Sequence, residues 1–394
     1  MSFDLCDINN QLQDESGRIG DMVAAKLIGT DIWNRLVTQE EWPAGMGFSI
    51  TTLLQERSTI PDVSSTAWSD ISANDGTGSS CNPSEQTINY ARTTKAYNLQ
   101  QAAVRSPGLC VNDLRVAWQA QQQLDGEYKV LKENTGWFWS NRYRDEFIRL
   151  AGNKIVVDTD DTYTFSTSGS NEAIPSSPAQ FALDQGMLDT WYLDLNRDNA
   201  EGYYAMVDAM PQYALICSPE QSKYLQKQNA DVRQDLRFSS EVDDLITPFG
   251  TRWAYSGFIH LIDNQAPRYN FVDGEYVRVP FYVNVAASYG YKAVVNPAYR
   301  NAPYEGSVVY NTNCLTSRVA QTITRPGGNT SFDAVNYRGD FTWLNIRDNG
   351  CNKLGDQGYF YARFAQGSEA KRTEWGYLII SLRCGPATMY QNCS

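Results

Sequence analysis

One histidine, His260, stands in the whole chain, within "SGFIHLIDNQAPRYNF" at 256–271. A Ser-His-Asp or Cys-His centre would have to take its base from that position. The alternation in "FIHLID" sets Phe258, His260 and Ile262 on one face of a strand and Ile259, Leu261 and Asp263 on the other. A single histidine in such a strand reads as scaffold. No G-x-S-x-G and no G-x-x-x-x-G-K-[ST] is present. "RPGGNTSFD" (325–333) is Gly-rich but opens no helical pattern, so it reads as a surface loop. The carboxylate pairs Glu40-Glu41, Asp160-Asp161 and Asp243-Asp244 would suit glycoside hydrolysis only at a fixed separation, and any acidic protein offers such pairs. "DLNRDNAE" (194–201) has the oxygen ligands of a calcium loop but neither its glycine at the sixth position nor its glutamate at the twelfth. No catalytic, cofactor-binding or metal-ligating residue is assigned, and no enzyme activity is expected.

The eight cysteines, Cys6, Cys81, Cys110, Cys217, Cys314, Cys351, Cys384 and Cys393, contain no C-x-x-C pair. Their spread suggests buried free thiols in a reducing compartment, not a metal cluster or a disulfide framework. The opening "MSFDLCDINNQLQDE" has no basic segment followed by an apolar one, so no signal peptide is expected. No apolar run approaches the ~18–20 residues of a membrane span.

The formal net charge is −12 and the sequence pI about 4.7. Such a chain does not bind nucleic acid by neutralising phosphates, although it can enclose it, because repulsion keeps a wall from trapping the strand. The charge is uneven. Residues 153–245 hold 6 Lys+Arg against 16 Asp+Glu, whereas 246–394 hold 14 against 10. That asymmetry can steer one copy against another.

The elements that would carry any function come in an unusual order. Residues 10–42 are helical in part, with Ile19, Met22, Val23, Leu27, Ile32, Trp33 and Leu36 recurring at three- to four-residue steps. Trp42-Pro43, Gly45 and Gly47 end the pattern. Two extended stretches, "FSITTLLQERSTI" and "EQTINYARTTKAYNLQ", flank a middle at 62–83 in which 16 of 22 residues are Ser, Thr, Asn, Asp, Gly or Pro. A long helix is expected over 112–152, with Asn112 as N-cap, Gly152 as stop, and Gly126 and Gly136 as points of bending. A hairpin or extended pair is expected over 153–169, and a helix starting at Ser177-Pro178. A buried strand at 213–219 leads into a helix capped by Ser218, with Pro219 first and Gln221 third. Strands are expected at 253–263, 276–285, 291–295, 307–311, 340–346, 358–365 and 375–384. No βαβ repeat appears, so the class is α+β.

This order, and four stretches within it, resembles the major capsid proteins of tailed bacteriophages with the HK97-type fold. "AVRSPGLCVNDL" is similar to their passage from hairpin to long helix, and "MPQYALICSPEQSKYLQKQ" to a strand and helix of their axial domain. "FGTRWAYSGFIHLIDNQAPRY" and "NYRGDFTWLNIRDNGCNKLGDQGYFYARFAQGSEAKRTEWGYLIISLRC" are similar to their later strands. The resemblance covers nearly the whole chain through diffuse motifs. It implies an N-terminal arm at 1–48, an extended hairpin loop at 49–107, a peripheral domain with the long helix at 108–177 and 330–394, and an axial domain at 178–329. It implies a structural subunit that forms hexamers and pentamers of an icosahedral head, encloses double-stranded DNA without reading its sequence, and assembles in the host bacterial cytoplasm into the virion. Scaffolding and portal proteins are the implied partners, with decoration proteins left open; no cofactor and no membrane are involved. No cleaved leader is expected, and no isopeptide cross-link through Lys95, which matches no such chemistry. The rival readings are an encapsulin-like compartment shell and a β-rich carbohydrate-active or carbohydrate-binding protein.

If the hairpin must lie on a sister copy, deleting 62–83 should leave a soluble subunit that closes few shells. Electron microscopy showing normal particle yield from that deletion would contradict the reading.

Overall fold

A computed structural model describes residues 32–42, 48–57, 90–106, 109–110, 117–159, 166–167, 173–197, 204–207, 210–228, 246–247, 250–251, 254–255, 257–288, 290–311, 314–319, 322–323, 335–336, 342–346 and 357–383. The arm before Ile32, the hairpin middle at 62–83 and the Gly-rich loop at 325–333 lie outside the described residues.

The architecture is α+β. The short arm helix α1 (Ile32–Leu36) uses the expected periodicity to bury Trp33 and Leu36. The long helix α2 (Ala117–Leu150) runs unbroken through Gly126 and Gly136 for 34 residues, about 50 Å at 1.5 Å per residue. Neither glycine breaks the helix. Leu131 is buried, as are Tyr143, Arg144, Glu146, Phe147 and Leu150 in its last three turns. Helix α3 (Gln185–Arg197) starts later than Ser177-Pro178 predicts. Asp184 caps it, its Oδ1 accepting from Met187 N–H at 2.9 Å. The stretch before it is a strap: Gln180 and Phe181 donate to Val157 O, and Tyr276 Oη both accepts from Ala179 N–H and donates to Ser177 O, each at 2.8 Å. Those sheet-edge bonds hold the segment extended and override its helix-start signal. Helix α4 (Pro219–Gln228) keeps the expected cap, Ser218 Oγ accepting from Gln221 N–H at 3.1 Å. The reciprocal half of the capping box is replaced, because Gln221 Nε2 donates to Leu183 O instead. Helix α5 is one turn, Pro297–Asn301.

Two sheets carry the fold. The six-stranded sheet comprises β1 (Thr38–Glu41), β4 (Gln100–Arg105), β5 (Leu109–Cys110), β19 (Thr316–Val319), β22 (Thr342–Ile346) and β23 (Gln357–Glu369), with β23 pairing all but β1, which pairs β19 in parallel. The ten-stranded sheet runs β12 (Ala254–Tyr255), β13 (Phe258–Ile262), β9 (Met210–Cys217), β18 (Tyr304–Tyr310), β24 (Tyr377–Leu382), β6 (Asn153–Val156) and β7 (Ser166–Thr167). Beside that path, β8 (Tyr204–Val207) joins β9, β14 (Arg268–Val272) joins β18, and β15 (Glu275–Val279) joins β14. Two-stranded ladders pair β2 (Ser49–Arg57) with β3 (Tyr90–Asn98), β10 (Ile246–Thr247) with β11 (Gly250–Thr251), β16 (Tyr282–Ala286) with β17 (Tyr291–Val295), and β20 (Thr322–Ile323) with β21 (Val335–Asn336).

Sheet membership cuts across the expected domain limits. β6 and β24 come from segments assigned to the peripheral domain, yet they lie in the sheet with β9 and β18. β19 comes from the segment assigned to the axial domain, yet it lies with β23. The reason is hydrophobic: five residues of β24, "YLIIS", are buried in a row, so this strand belongs inside a sheet covered on both faces. The single strand expected at 276–285 is two. Pro280, which has no N–H to give a ladder, separates β15 from β16. The turn between β14 and β15 is Asp273-Gly274, both at positive φ (54° and 85°), as a tight hairpin requires.

One core joins the arm, the long helix and the ten-stranded sheet, from Trp33 through Phe147 and Tyr310 to Ile380. Trp33 packs at a tilt on Phe147, ring centroids 5.8 Å apart, and its Nε1–H donates to Asp263 Oδ2 at 2.9 Å. Trp33→Ala is expected to cost about 3–5 kcal/mol, since it leaves a cavity and removes one hydrogen-bond donor from a buried carboxylate. Val130→Ala, at an exposed site on α2, should stay within about 0.5 kcal/mol. Urea melts of both variants check this.

Candidate assembly interface

The residues singled out as potential chemistry are dispersed. His260 is wholly buried in β13, paired in register with Leu215 of β9. Both faces of β13 are covered at Phe258 to Leu261, so alternation there separates two interior sides. Burial drops the imidazole to about 3, which keeps it neutral. Asp194 of the calcium-like stretch pairs with Arg197 at 3.2 Å on an exposed face, and 198–201 lie outside the described residues. Asp160-Asp161 and Asp243-Asp244 also lie outside them. Among the described residues no cluster of three or more His, Cys, Asp or Glu could hold a metal, and no helix is long and apolar enough to cross a membrane. Cys217 is a free, buried thiol, pushed up by that burial, and Cys314 is buried too. Lys95 sits on β3 opposite Thr52, whose Oγ1 donates to Lys95 O at 3.4 Å.

What the fold does build is a projecting ribbon with a fixed root. β2 and β3 pair residue for residue from Ser49–Asn98 to Arg57–Tyr90, nine positions each and roughly 30 Å at 3.4 Å per residue. Among the described residues neither strand has another partner. Thr, Ile, Leu and Tyr favour the extended chain, but a lone two-stranded ladder is marginal in water. Phe48 is 63% exposed and Leu53 54%. At the root the situation reverses. Ile50 and Tyr97 are buried with Trp42 of the arm and Ala365 of β23 in a small separate core. Gly367 makes that approach feasible, because a Cβ there would sit 3.0 Å from both Asn98 O and the Trp42 ring.

Charge locks the root. Glu40 of β1 accepts from Arg318 Nε at 3.0 Å and from Lys371 Nζ at 2.9 Å. The Arg318 guanidinium also lies 4.8 Å from the Tyr97 ring centroid, a cation–π contact. Burial by itself would raise the Glu40 carboxyl. The Lys371 hydrogen bond and the charges of Lys371 and Arg318 outweigh it and hold the group below the usual carboxylate range. Arm, ribbon root and the six-stranded sheet thus meet on one carboxylate. The sequence marked Glu40 only as half of an acid pair. Its partners lie 278 and 331 residues away, a separation that no local pattern reveals. The adjoining acid, Glu41, is exposed.

The folded Glu40 carboxyl titrates below its ordinary value, so its contribution is fully present above the unfolded pKa and is lost as pH falls through the folded one. Glu40→Gln should therefore cost about 1 kcal/mol at pH 7 and little at pH 3. Thermal melts across that range check it; an equal loss at both pH values would refute the clamp.

No family model matches the chain, and no curated protein matches it. Among solved structures it is similar to the capsid of Ralstonia phage GP4, at 11% identity and a TM-score of 0.47, over 89% of this chain and 88% of that one. The capsid of cyanophage P-SCSP1u is similar at 10% identity and 0.45, over 90% and 89%. The capsid of cyanophage Pam1 is similar at 10% and 0.47, over 86% of each chain.

Proposed function

We propose that this chain is the repeated structural subunit of an icosahedral shell, the major capsid protein of a tailed bacteriophage, enclosing double-stranded DNA. The observation that carries the reading is the ribbon β2–β3, packed at its root yet, among the described residues, laddered to no third strand along its length. A feature so built is completed by another surface. Sister copies supply that surface repeatedly, and closed symmetry turns a modest contact into a shell. Each contact gains roughly 25 cal/mol per Å² of apolar area buried, less the cost of ordering. The four stretches that resemble tailed-phage capsid proteins support the same reading, and an acidic chain suits a wall that must not bind its genome.

On this reading α2 is the spine of a peripheral domain with the six-stranded sheet, drawn from about 100–150, 314–319 and 342–372. The axial domain is the ten-stranded sheet with α3, α4 and α5, drawn from about 153–311 and 376–383. Hexamers and pentamers, scaffolding and portal partners, a location in the virion and assembly in the bacterial cytoplasm go with the proposal. No reaction is assigned to the chain.

Sedimentation and negative-stain imaging of the purified protein test it. Closed megadalton particles or five- and sixfold rings are expected, with nuclease-protected DNA inside particles from infected cells. A monomer at every concentration, its ribbon protected from amide exchange, would overturn the proposal. Particles filled with a protein cargo would make it a compartment shell.

A further inference from the structure

A carboxyl group with one unfilled oxygen sits inside the ten-stranded sheet. Glu305 of β18 lies between Arg268 of β14 and Ser381 of β24 in the ladder. It is buried, 1% exposed; Oε2 accepts from Ser218 Oγ at 2.6 Å, and Oε1 has no hydrogen-bond partner among the described residues. The charged or titratable side chains facing it among those residues are Arg268, Glu220 from the first turn of α4, Arg383 from just past β24, and Cys217 from the end of β9. Cys217 is a thiol kept neutral by burial. Arg268 and Arg383 both turn to Glu220 Oε1, at 2.9 and 3.0 Å. Arg268 Nε–H is buried and, among the described residues, without a partner. Burial lifts the Glu305 carboxyl to about 7, which the Ser218 hydrogen bond and the Arg268 charge offset only in part.

Arg268 also holds α5. Its Nη1 donates to Tyr299 O at 3.1 Å, and the guanidinium lies 4.3 Å from the Tyr299 ring centroid. Arg383 donates to Arg300 O. Helix α5 in turn is the joint of the second ribbon, β16–β17, whose strands ladder only with each other among the described residues. Tyr299 shares a small separate core with Val279 and Ala302, and Phe281 meets it edge-on at 4.7 Å. Asn296, the cap of α5, donates from its N–H to Phe281 O at 2.8 Å and from Nδ2 to Pro280 O at 3.0 Å. One guanidinium thus stands between Glu305 and the root of a ribbon.

We infer that Glu305 is a proton switch on the joint of the β16–β17 ribbon: as the acid it leaves Arg268 on α5, and as the carboxylate it draws Arg268 across the ladder and loosens α5. Side chains opposed in an antiparallel ladder stand about 5 Å apart at Cβ, within reach of a turned guanidinium. When the proton leaves for solvent, a buried charge remains on Glu305, and such a charge is costly until it is paired. The Arg268 Nε–H opposite supplies the pair, and turning it inward draws Nη1 away from Tyr299 O. Tyr299 Oη keeps its bond to Ala266 O at 2.7 Å, so α5 loosens and does not detach. The folded group holds its proton more tightly than the unfolded one. Its share of stability is therefore full below the ordinary value of 4.5 and is lost as pH rises through about 7.

Amide exchange of the full-length protein between about pH 6 and pH 8, corrected for the intrinsic exchange rate, tests the switch. Protection of β16, β17 and α5 should fall about tenfold across that range while β6 holds. In Glu305→Gln, which keeps an acceptor for Ser218 but cannot ionise, protection should not change with pH. Ser218→Gly removes the donor that favours the ionised form, and glycine is tolerated at a helix cap, so the transition should move to higher pH. That shift reads the switch even where Glu305→Gln does not fold. Constant wild-type protection, the same fall in Glu305→Gln, an unmoved transition in Ser218→Gly, or a fall spread equally over β6 would each overturn the inference. The switch needs no second copy, so its failure leaves the shell reading untouched.

Discussion

The Asp263 carboxylate holds the described architecture together. Oδ2 accepts from Trp33 Nε1–H at 2.9 Å and lies 3.6 Å from Arg144 Nη1; Oδ1 accepts from Gln265 N–H at 2.8 Å. Its own N–H donates to Cys217 O at 2.9 Å. One residue just past β13 thereby fixes the arm helix, the spine and the central sheet in mutual position. Arg144 adds a hydrogen bond to Gln265 O. Asp263 is 7% exposed and Arg144 3%, so removing either partner would strand a buried charge, a loss larger than the pair's own attraction.

A second polar cluster stiffens the same end of the sheet. Arg268 of β14 and Arg383, just past β24, both reach Glu220 Oε1 in the first turn of α4, at 2.9 and 3.0 Å. Burial raises the Glu220 carboxyl, but the Arg268 charge, the backbone amide and Arg383 bring it below its usual range. Arg268 also donates to Tyr299 O at 3.1 Å and lies 4.3 Å from that ring's centroid, so helix α5 is held by the same guanidinium. Glu305, directly across from Arg268 in the ladder, behaves differently. It is wholly enclosed, and burial lifts its carboxyl to about 7 even though Ser218 Oγ donates to it at 2.6 Å. Two carboxylates a few residues' width apart thus take opposite shifts, because one touches solvent and two cations while the other is sealed in the sheet.

Much of the element order was legible because it rests on local physics. The periodicity of Ile32, Trp33 and Leu36, the long helix ending at Gly152, the Ser218-Pro219 cap and the strand-rich last third are all found. Errors fell where a distant partner outweighed a local signal. The Ser177-Pro178 start lost to hydrogen bonds from Val157 and Tyr276. The strand across Pro280 broke where the proline removed a donor. The Asp273-Gly274 turn was a readable signal that the strand pattern passed over. The candidate interface was half legible: the extended, Thr- and Tyr-rich arms of the ribbon were, and the Glu40 clamp at its root was not.

The sequence by itself determined which segments are helical or extended, that one strand histidine makes a poor catalytic centre, and that a long polar-tipped hairpin needs something to lie against. These follow from side-chain periodicity, turn chemistry and the absence of a second base, all of which act over a few residues. The tertiary structure decided that β6 and β24 share a sheet with β9 and β18, that His260 is sealed between covered faces, and that Glu40, Asp263 and Glu220 are junctions. Those outcomes depend on which apolar faces find each other across hundreds of residues and on which charges are buried together, and neither is written in the spacing of neighbours along the chain.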